Sequence, residues 1–329
     1  MGQRTAVYHQ AQEWVHPVEA ALSMSFTTLR GAQTLALSVH GLMGQRGPIP
    51  TEVVVHAART HLQQAAQQAT LEAARGGTGW SQEAALGAFL ADVHRTLLGL
   101  SRIRPYWGGL GVEVAAAWFA EGRVAIAHAG NCRVFRLRGG EGAVQLTVDH
   151  SLLEDARRSG WPNWEQFAAK EYRNIVVRLL GMEYVPAPPP GTPEADGRAP
   201  AAEPRAAVPP WEMRSEAVLP GDVYLLGTSN LEPEAVRACL GAGAGTDAEA
   251  DSEAALERML ARVVAALAEP PNEVACVAVR EGRAGEVPQA GSAGERRGEG
   301  DQLPSPEERY AGMGLSADLG QYARIMQEG

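Results

Sequence analysis

Strand-like runs fall in two batches along the chain, and long helical stretches stand between the batches instead of alternating with single strands. Glu19 to Thr28 carries alternating apolar positions, Leu35 to Val39 is a short apolar run, and residues 28–32 make the turn between them. A helix is expected from Thr51 to about Ala74, behind Pro50. A second runs from Ser81 to about Leu100, where Leu86, Leu90, Val93, Leu97 and Leu100 form an apolar stripe. The second batch of strands is Val112–Phe119, Val124–His128, Arg133–Arg138 and Val144–Val148. Residues 151–180 read as helical in pieces, one capped by Ser151 and another at Asn174–Leu180. Strands resume at Ala217–Leu219 and Val223–Leu226. Helices at Glu232–Leu240 and Asp251–Leu267 precede a last strand at Val274–Val279. This order suits an α+β chain in which sheet packs on sheet with helices outside, and it does not suit a βαβ winding.

The boundaries follow from composition. Residues 1–18 are a lead-in, and 19–280 form one domain. Within it, 185–210 is a Pro- and Ala-rich insert with few large apolar residues, expected to be disordered. Residues 281–306 are a polar, Gly-rich linker. Residues 307–329 carry Tyr310, Met313, Leu315, Leu319, Tyr322 and Ile325, which allow either a short amphipathic docking segment or a fraying tail.

Several function classes drop out early. A net charge of −10 argues against nucleic acid as a partner. No run approaches the ~18 apolar residues of a membrane span, and the start of the chain has no apolar leader core, so a cytoplasmic protein is expected. Lys170 is the only lysine among abundant Arg, Ala, Gly and Pro, a bias that suggests a GC-rich, bacterial genome. Cys132, Cys239 and Cys276 lie far apart, in no disulfide or zinc spacing.

Four strand ends hold small residues that let backbone approach closely: 38–44, 127–133, 226–231 and 270–274. The stretch Ala127-His128-Ala129-Gly130-Asn131-Cys132-Arg133-Val134-Phe135, then Leu146-Thr147-Val148-Asp149-His150-Ser151-Leu152, resembles the metal-dependent serine/threonine protein phosphatases of type 2C (PPM). Those proteins read A-H-V-G-D-S-R-A-Y and L-T-x-D-H-S-L there. Asn174 to Gly181 is similar to their N-V-I-T-R-A-L-G, and Leu219 to Leu226 to their L-x-P-G-D-x-L-L-L. The resemblance spans about residues 20–280. It implies a four-layer αββα sandwich, two antiparallel β-sheets flanked by helix pairs, with two or more Mn²⁺ or Mg²⁺ ions held by aspartates between the sheets.

The aspartates are not where the resemblance puts them. His40 stands at the first, before Gly41. Asn131 stands in the G-D-S-R motif, and Ser229, followed by Asn230, in S-D-G-L. Pro271 replaces the terminal Asp, before a retained Asn272. Hard dications want several carboxylates. These seven positions are therefore read as a vestigial site, and no residue is assigned a catalytic, cofactor-binding or metal-binding role. Arg133 and Asp149 are expected to hold the scaffold. Trp161 and Trp164 fall where the family has a flap over the site and are read either as an interface or as packing.

The expected function is a catalytically inactive, pseudophosphatase-type module without a metal cofactor. It would bind or regulate a protein partner, a phosphoprotein or a kinase-pathway component, in phosphorylation signalling. The alternative is a divergent phosphatase that recruits Mn or Mg through His40, Asn131, Asn272 and backbone carbonyls.

Overall fold

The computed structural model describes residues 3–11, 19–28, 31–42, 49–75, 80–103, 110–139, 141–160, 163–165, 175–184, 207–240, 253–267 and 273–281. The chain divides into two units, Met1–Val287 and Pro288–Gly329, and all described residues lie in the first. The strands are β1 (Gln3–Ala11), β2 (Glu19–Thr28), β3 (Gly31–Leu42), β4 (Gly111–Ala120), β5 (Arg123–Ala129), β6 (Arg133–Arg138), β7 (Gly142–Gln145), β8 (Glu212–Ala217), β9 (Val223–Gly227) and β10 (Glu273–Glu281). The helices are α1 (Ile49–Ala74), α2 (Gln82–Ile103), α3 (Leu152–Arg158), α4 (Pro233–Cys239) and α5 (Glu253–Ala265).

The strands form two five-stranded sheets, in the orders β1-β10-β9-β6-β7 and β2-β3-β4-β5-β8, with every strand pair antiparallel. Side chains alternate between the two faces of a strand. On β3 and β4, Leu35, Leu37, Val39, Val112, Val114, Ala116 and Trp118 share a core with Val54 and Ala58 of α1 and Phe89 and Leu90 of α2. The intervening Ala36, Ala115, Ala117 and Phe119 join Val134, Tyr224, Leu226 and Val277 of the other sheet. On that sheet's outer face Leu256, Met259, Leu260 and Val263 of α5 pack against Phe135, Leu225 and Ala278. The α+β sandwich expected from the order of elements is therefore the observed one.

Trp118 shows how a polar atom is tolerated in this core. It is fully buried, and its indole N–H donates to Gln33 Oε1 at 3.0 Å. Removing such an aromatic side chain from a core costs about 3–5 kcal/mol. Between the sheets, Phe119 and Tyr224 meet edge to face with centroids 5.2 Å apart. Helix starts follow capping chemistry: Ser81 Oγ accepts from the Ala84 N–H, and Ser151 Oγ from that of Glu154.

Three expectations are corrected. The lead-in 1–18 contains β1, which pairs with β10 along its whole length and buries Ala6. Its Thr-Ala-Val-Tyr run completes a sheet edge and belongs to the domain. Residues 175–180 are extended rather than helical. Val176 bridges Ser151 and Leu180 bridges Val112, because the main chain there closes against α3 and β4. Gly181 follows at φ +88°, where a Cβ would run into the Leu110 carbonyl oxygen. The third is the insert 185–210: its end, at Val208, pairs back onto Tyr184, while 185–206 lies outside the described residues.

Candidate functional site

The inter-sheet face of β3 and β4 leads to the site. Ala36, Ser38 and His40 fall on that face of β3, and Glu113, Ala115 and Ala117 on that of β4. The register sets His40 directly opposite Glu113. Glu113 is only 1% exposed. A buried carboxylate must find partners or lose its charge, and this one has two. Its Oε2 lies 2.8 Å from His40 Nδ1, and its Oε1 accepts the Asn131 N–H at 2.6 Å. The β5–β6 turn leans on the same side chain. Gly130 has φ +81°, and a Cβ there would lie 2.5 Å from Glu113 Cγ. Only glycine lets the backbone come this close. Asn131 is 2% exposed, and its Oδ1 has no hydrogen-bond partner among the described residues.

The structure thus brings His40 and Asn131 to one carboxylate, and Gly41 is buried beside them on β3. Ser229 and Asn230 lie half-buried in the turn after β9. There the Ser229 carbonyl accepts from Arg133 Nη1 at 3.1 Å and the Leu231 carbonyl at 2.8 Å. The same Arg133 clasps Asp149 through Nε and Nη2, the shortest contact being 2.6 Å. Asp149 is therefore committed to a side-chain pair that ties β6 to the 229–231 turn. Trp164 is half-buried in a single helical turn. Pro271, Asn272 and Trp161 lie outside the described residues.

Glu113 was missed from the sequence. The available signal was one acid inside an otherwise apolar strand, Gly-Val-Glu-Val-Ala-Ala-Ala-Trp-Phe, at a position whose side chain must face the opposite sheet.

A second polar cluster shares the Gly130 turn. His128 on β5 stands opposite Glu212 on β8, and its ring stacks on His150 with centroids 4.4 Å apart. His128 Nε2 meets the Val148 carbonyl at 2.9 Å, and the Gly130 N–H donates to His150 Nδ1 at 3.2 Å. His128, His150 and Glu212 are the one grouping of three His, Cys, Asp or Glu side chains, among the described residues, compact enough to consider for a metal. Its chemistry points elsewhere. Accepting from Gly130 leaves the His150 proton on Nε2, the atom facing Glu212 Oε1 at 3.5 Å. Glu212 is already paired with Arg158 at 2.7 Å and Arg178 at 2.8 Å. Burial first, then the neighbouring His128 and Arg178, pushes His150 down to about 3. Burial likewise lowers His128. For Glu212 burial acts upward, but Arg158 outweighs it and the carboxyl falls to about 2. A cation would meet two guanidinium groups here. The trio is a latch that ties β5, β8 and α3 together.

The comparisons agree on the fold. The structure of the Mycobacterium tuberculosis serine/threonine phosphatase PstP/Ppp superposes with a TM-score of 0.56 at 18% identity, covering 85% of this chain and 99% of that one. The structure of the S. agalactiae serine/threonine phosphatase gives 0.57 at 16% identity, over 85% and 100%. The PstP catalytic domain in complex with two manganese ions gives 0.52 at 18% identity, over 85% and 99%. In sequence, the serine/threonine phosphatase stp of Listeria monocytogenes is 31% identical over 94 residues, 29% of this chain and 37% of that protein. The chain thus matches little more than a third of that relative's length. No protein-family model matches the chain. The chain has the fold of the PPM-type serine/threonine phosphatases.

One expectation is overturned by these likenesses. The sequence reading anticipated no metal cofactor, yet a neighbour of the same fold carries two manganese ions. The residues present do not suit that pair as such. Two dications need several carboxylates, and the described residues gathered around His40 and Asn131 offer one, Glu113. They do suit a smaller demand for charge.

Proposed function

We propose that this chain is a divergent metal-dependent phosphatase that acts on phosphorylated serine and threonine residues of proteins, in a bacterial cytoplasm, through a non-standard metal site. The observation that carries the reading is the buried Glu113 carboxylate, held by His40 and the Asn131 N–H at the end of the inter-sheet space. It restores negative charge to a place where neighbouring motifs have lost it. The related folds supply the reaction class: phosphoryl transfer to water, in which a bound dication would polarise the phosphate and lower the pKa of a water. This chain's own groups would orient and charge that site. Glu113 supplies the carboxylate, His40 is fixed by its Nδ1 contact, and the Arg133–Asp149 pair fixes the 229–231 turn.

The test is hydrolysis of a phosphothreonine peptide by the full chain with Mn²⁺ or Zn²⁺, against Glu113→Gln. Metal-dependent phosphate release, lowered on the order of a hundredfold by the substitution, is the expected result. A second reading is favoured by Asn131 and Ser229 at positions where the resemblance expects acids: a domain that binds a phosphoprotein and regulates it without turnover. Peptide binding with no phosphate release in either metal would select it.

A further inference from the structure

We propose that His150 is a positioning residue for the Glu113 site: it holds the Gly130–Asn131 peptide in the orientation that sets the Asn131 N–H on the Glu113 carboxylate. This role deepens the phosphatase reading and rests on it only in taking Glu113 as the charge of the site.

One peptide unit joins the two polar clusters. The Gly130 carbonyl accepts the main-chain N–H of His150 at 3.1 Å, and the Asn131 N–H of the same peptide donates to Glu113 Oε1 at 2.6 Å. A peptide unit is planar, so its carbonyl and its N–H turn together. Whatever fixes one end therefore aims the other. The preceding peptide is held as well, since the Gly130 N–H donates to His150 Nδ1 at 3.2 Å. His150 thus grips Gly130 twice, with main chain and with side chain. The grip matters at this residue because glycine turns more freely about φ and ψ than any other. A φ of +81° and the closeness of Glu113 keep other residues out of the position. The turn must take its rigidity from its neighbours.

His150 is itself well anchored. It is 2% exposed, its carbonyl accepts the Val177 N–H at 2.8 Å, and Ser151 caps α3 directly behind it. The two ring nitrogens are treated unequally. Nδ1 meets the turn, whereas Nε2 is buried with no hydrogen-bond partner among the described residues. A neutral imidazole has one donor and one acceptor nitrogen. An imidazole placed only to pair with Glu212 would bring Nε2 closer than the observed 3.5 Å. The ring instead satisfies its acceptor at Gly130 and leaves its donor short. Its surroundings keep that acceptor free of a proton. Burial above all, then His128 on β5, Arg178 in the 175–180 segment and Arg158 on α3 oppose a charge on the ring, against Glu212 on β8.

The test needs no substrate and no metal. Amide hydrogen exchange of the full chain, read residue by residue by NMR at neutral pH, is compared in three proteins. They are the wild type, His150→Leu, which fills the space without an acceptor, and His150→Asn, whose Oδ1 can stand in for Nδ1. Ala116 in the middle of β4 reports global unfolding. In His150→Leu the Asn131 amide is expected to exchange on the order of tenfold or more faster, relative to Ala116, than in the wild type. In His150→Asn that ratio should return to within about threefold of the wild type. Equal acceleration of both amides in His150→Leu, or no rescue by Asn, overturns the positioning role. Melting reports whether His150→Leu folds. If it does not, the wild-type ring decides: ¹⁵N spectra of histidine-labelled protein should show Nδ1 of His150 bare and the proton on Nε2, and the reverse tautomer overturns the role. Phosphopeptide turnover is measured separately. An Asn131 amide released in His150→Leu, in a protein whose wild type releases no phosphate, would uphold the positioning role and reject the phosphatase reading.

Discussion

At the scale of single residues, the site is organised by one side chain that the sequence pattern did not single out. Glu113 satisfies a backbone N–H and an imidazole at once, and Gly130 exists to make room for it. Gly130→Ala adds a methyl where Glu113 already sits and forces a left-handed φ on a residue with a side chain. A loss of about 3 kcal/mol or more is expected, combining backbone strain with overpacking. Denaturant unfolding of Gly130→Ala measures it. The steric part should shrink when Glu113→Gly is combined with it, so the two substitutions should be clearly non-additive. Additivity would mean that the turn does not depend on the carboxylate. The sequence could not reveal this contact. His40 and Glu113 are 73 residues apart, and only the β3–β4 register sets them opposite each other. The loss of acids at 131 and 229 was legible, because both positions lie inside blocks of retained neighbours. The compensating acid lies outside them.

At the scale of elements, the legible parts were those with a strong period or a cap. The α2 stripe, the Ser81 and Ser151 caps and the block from β4 to β6 appear much as read. Three elements escaped. β8 runs over Glu212–Ala217, ahead of the Ala217–Leu219 run read from the sequence. Residues 175–180 carry an apolar spacing that a helix would also satisfy, and only the bridges to Ser151 and Val112 decide for an extended chain. β1 is short of large apolar residues, and among its described side chains Ala6 is buried, in one cluster with Cys276, Ala278, Leu256 and Met259. A strand recruited by a sheet edge needs backbone pairing more than it needs hydrophobicity. Its importance is testable through that one methyl. Ala6→Asp would bury a charge without a partner and is expected to cost about 3 kcal/mol or more in a melting or denaturant experiment. A dispensable lead-in would tolerate it with little change.

At the scale of the whole molecule, the two sheets are joined by apolar packing at one end and by buried polar groups at the other. The polar end makes folding depend on pH. His150 is buried and held down to about 3, so in the fold it stays neutral where the unfolded chain would carry a proton. Between pH 6.5 and about 3 the unfolded state therefore binds more protons, and stability falls as pH falls. Glu212, held at about 2, acts in the same direction lower down, because its charged form pairs with Arg158 and Arg178 and is lost on acidification from about pH 4.5. Burial lowers His128 as well, so it loses stability in the same direction in the wild type and in His150→Asn, and the difference between the two reports His150. From pH 7 to pH 5 one such histidine removes about 2 kcal/mol, from ~1.5 pH units at 1.36 kcal/mol each. Denaturant unfolding at both pH values, for the wild type and for His150→Asn, isolates this contribution, since Asn can still accept the Gly130 N–H. The wild type should lose about 2 kcal/mol more than the variant. Equal losses would mean that the latch protonates without cost, and that β8 is held to α3 by the Arg158–Glu212–Arg178 pairing alone.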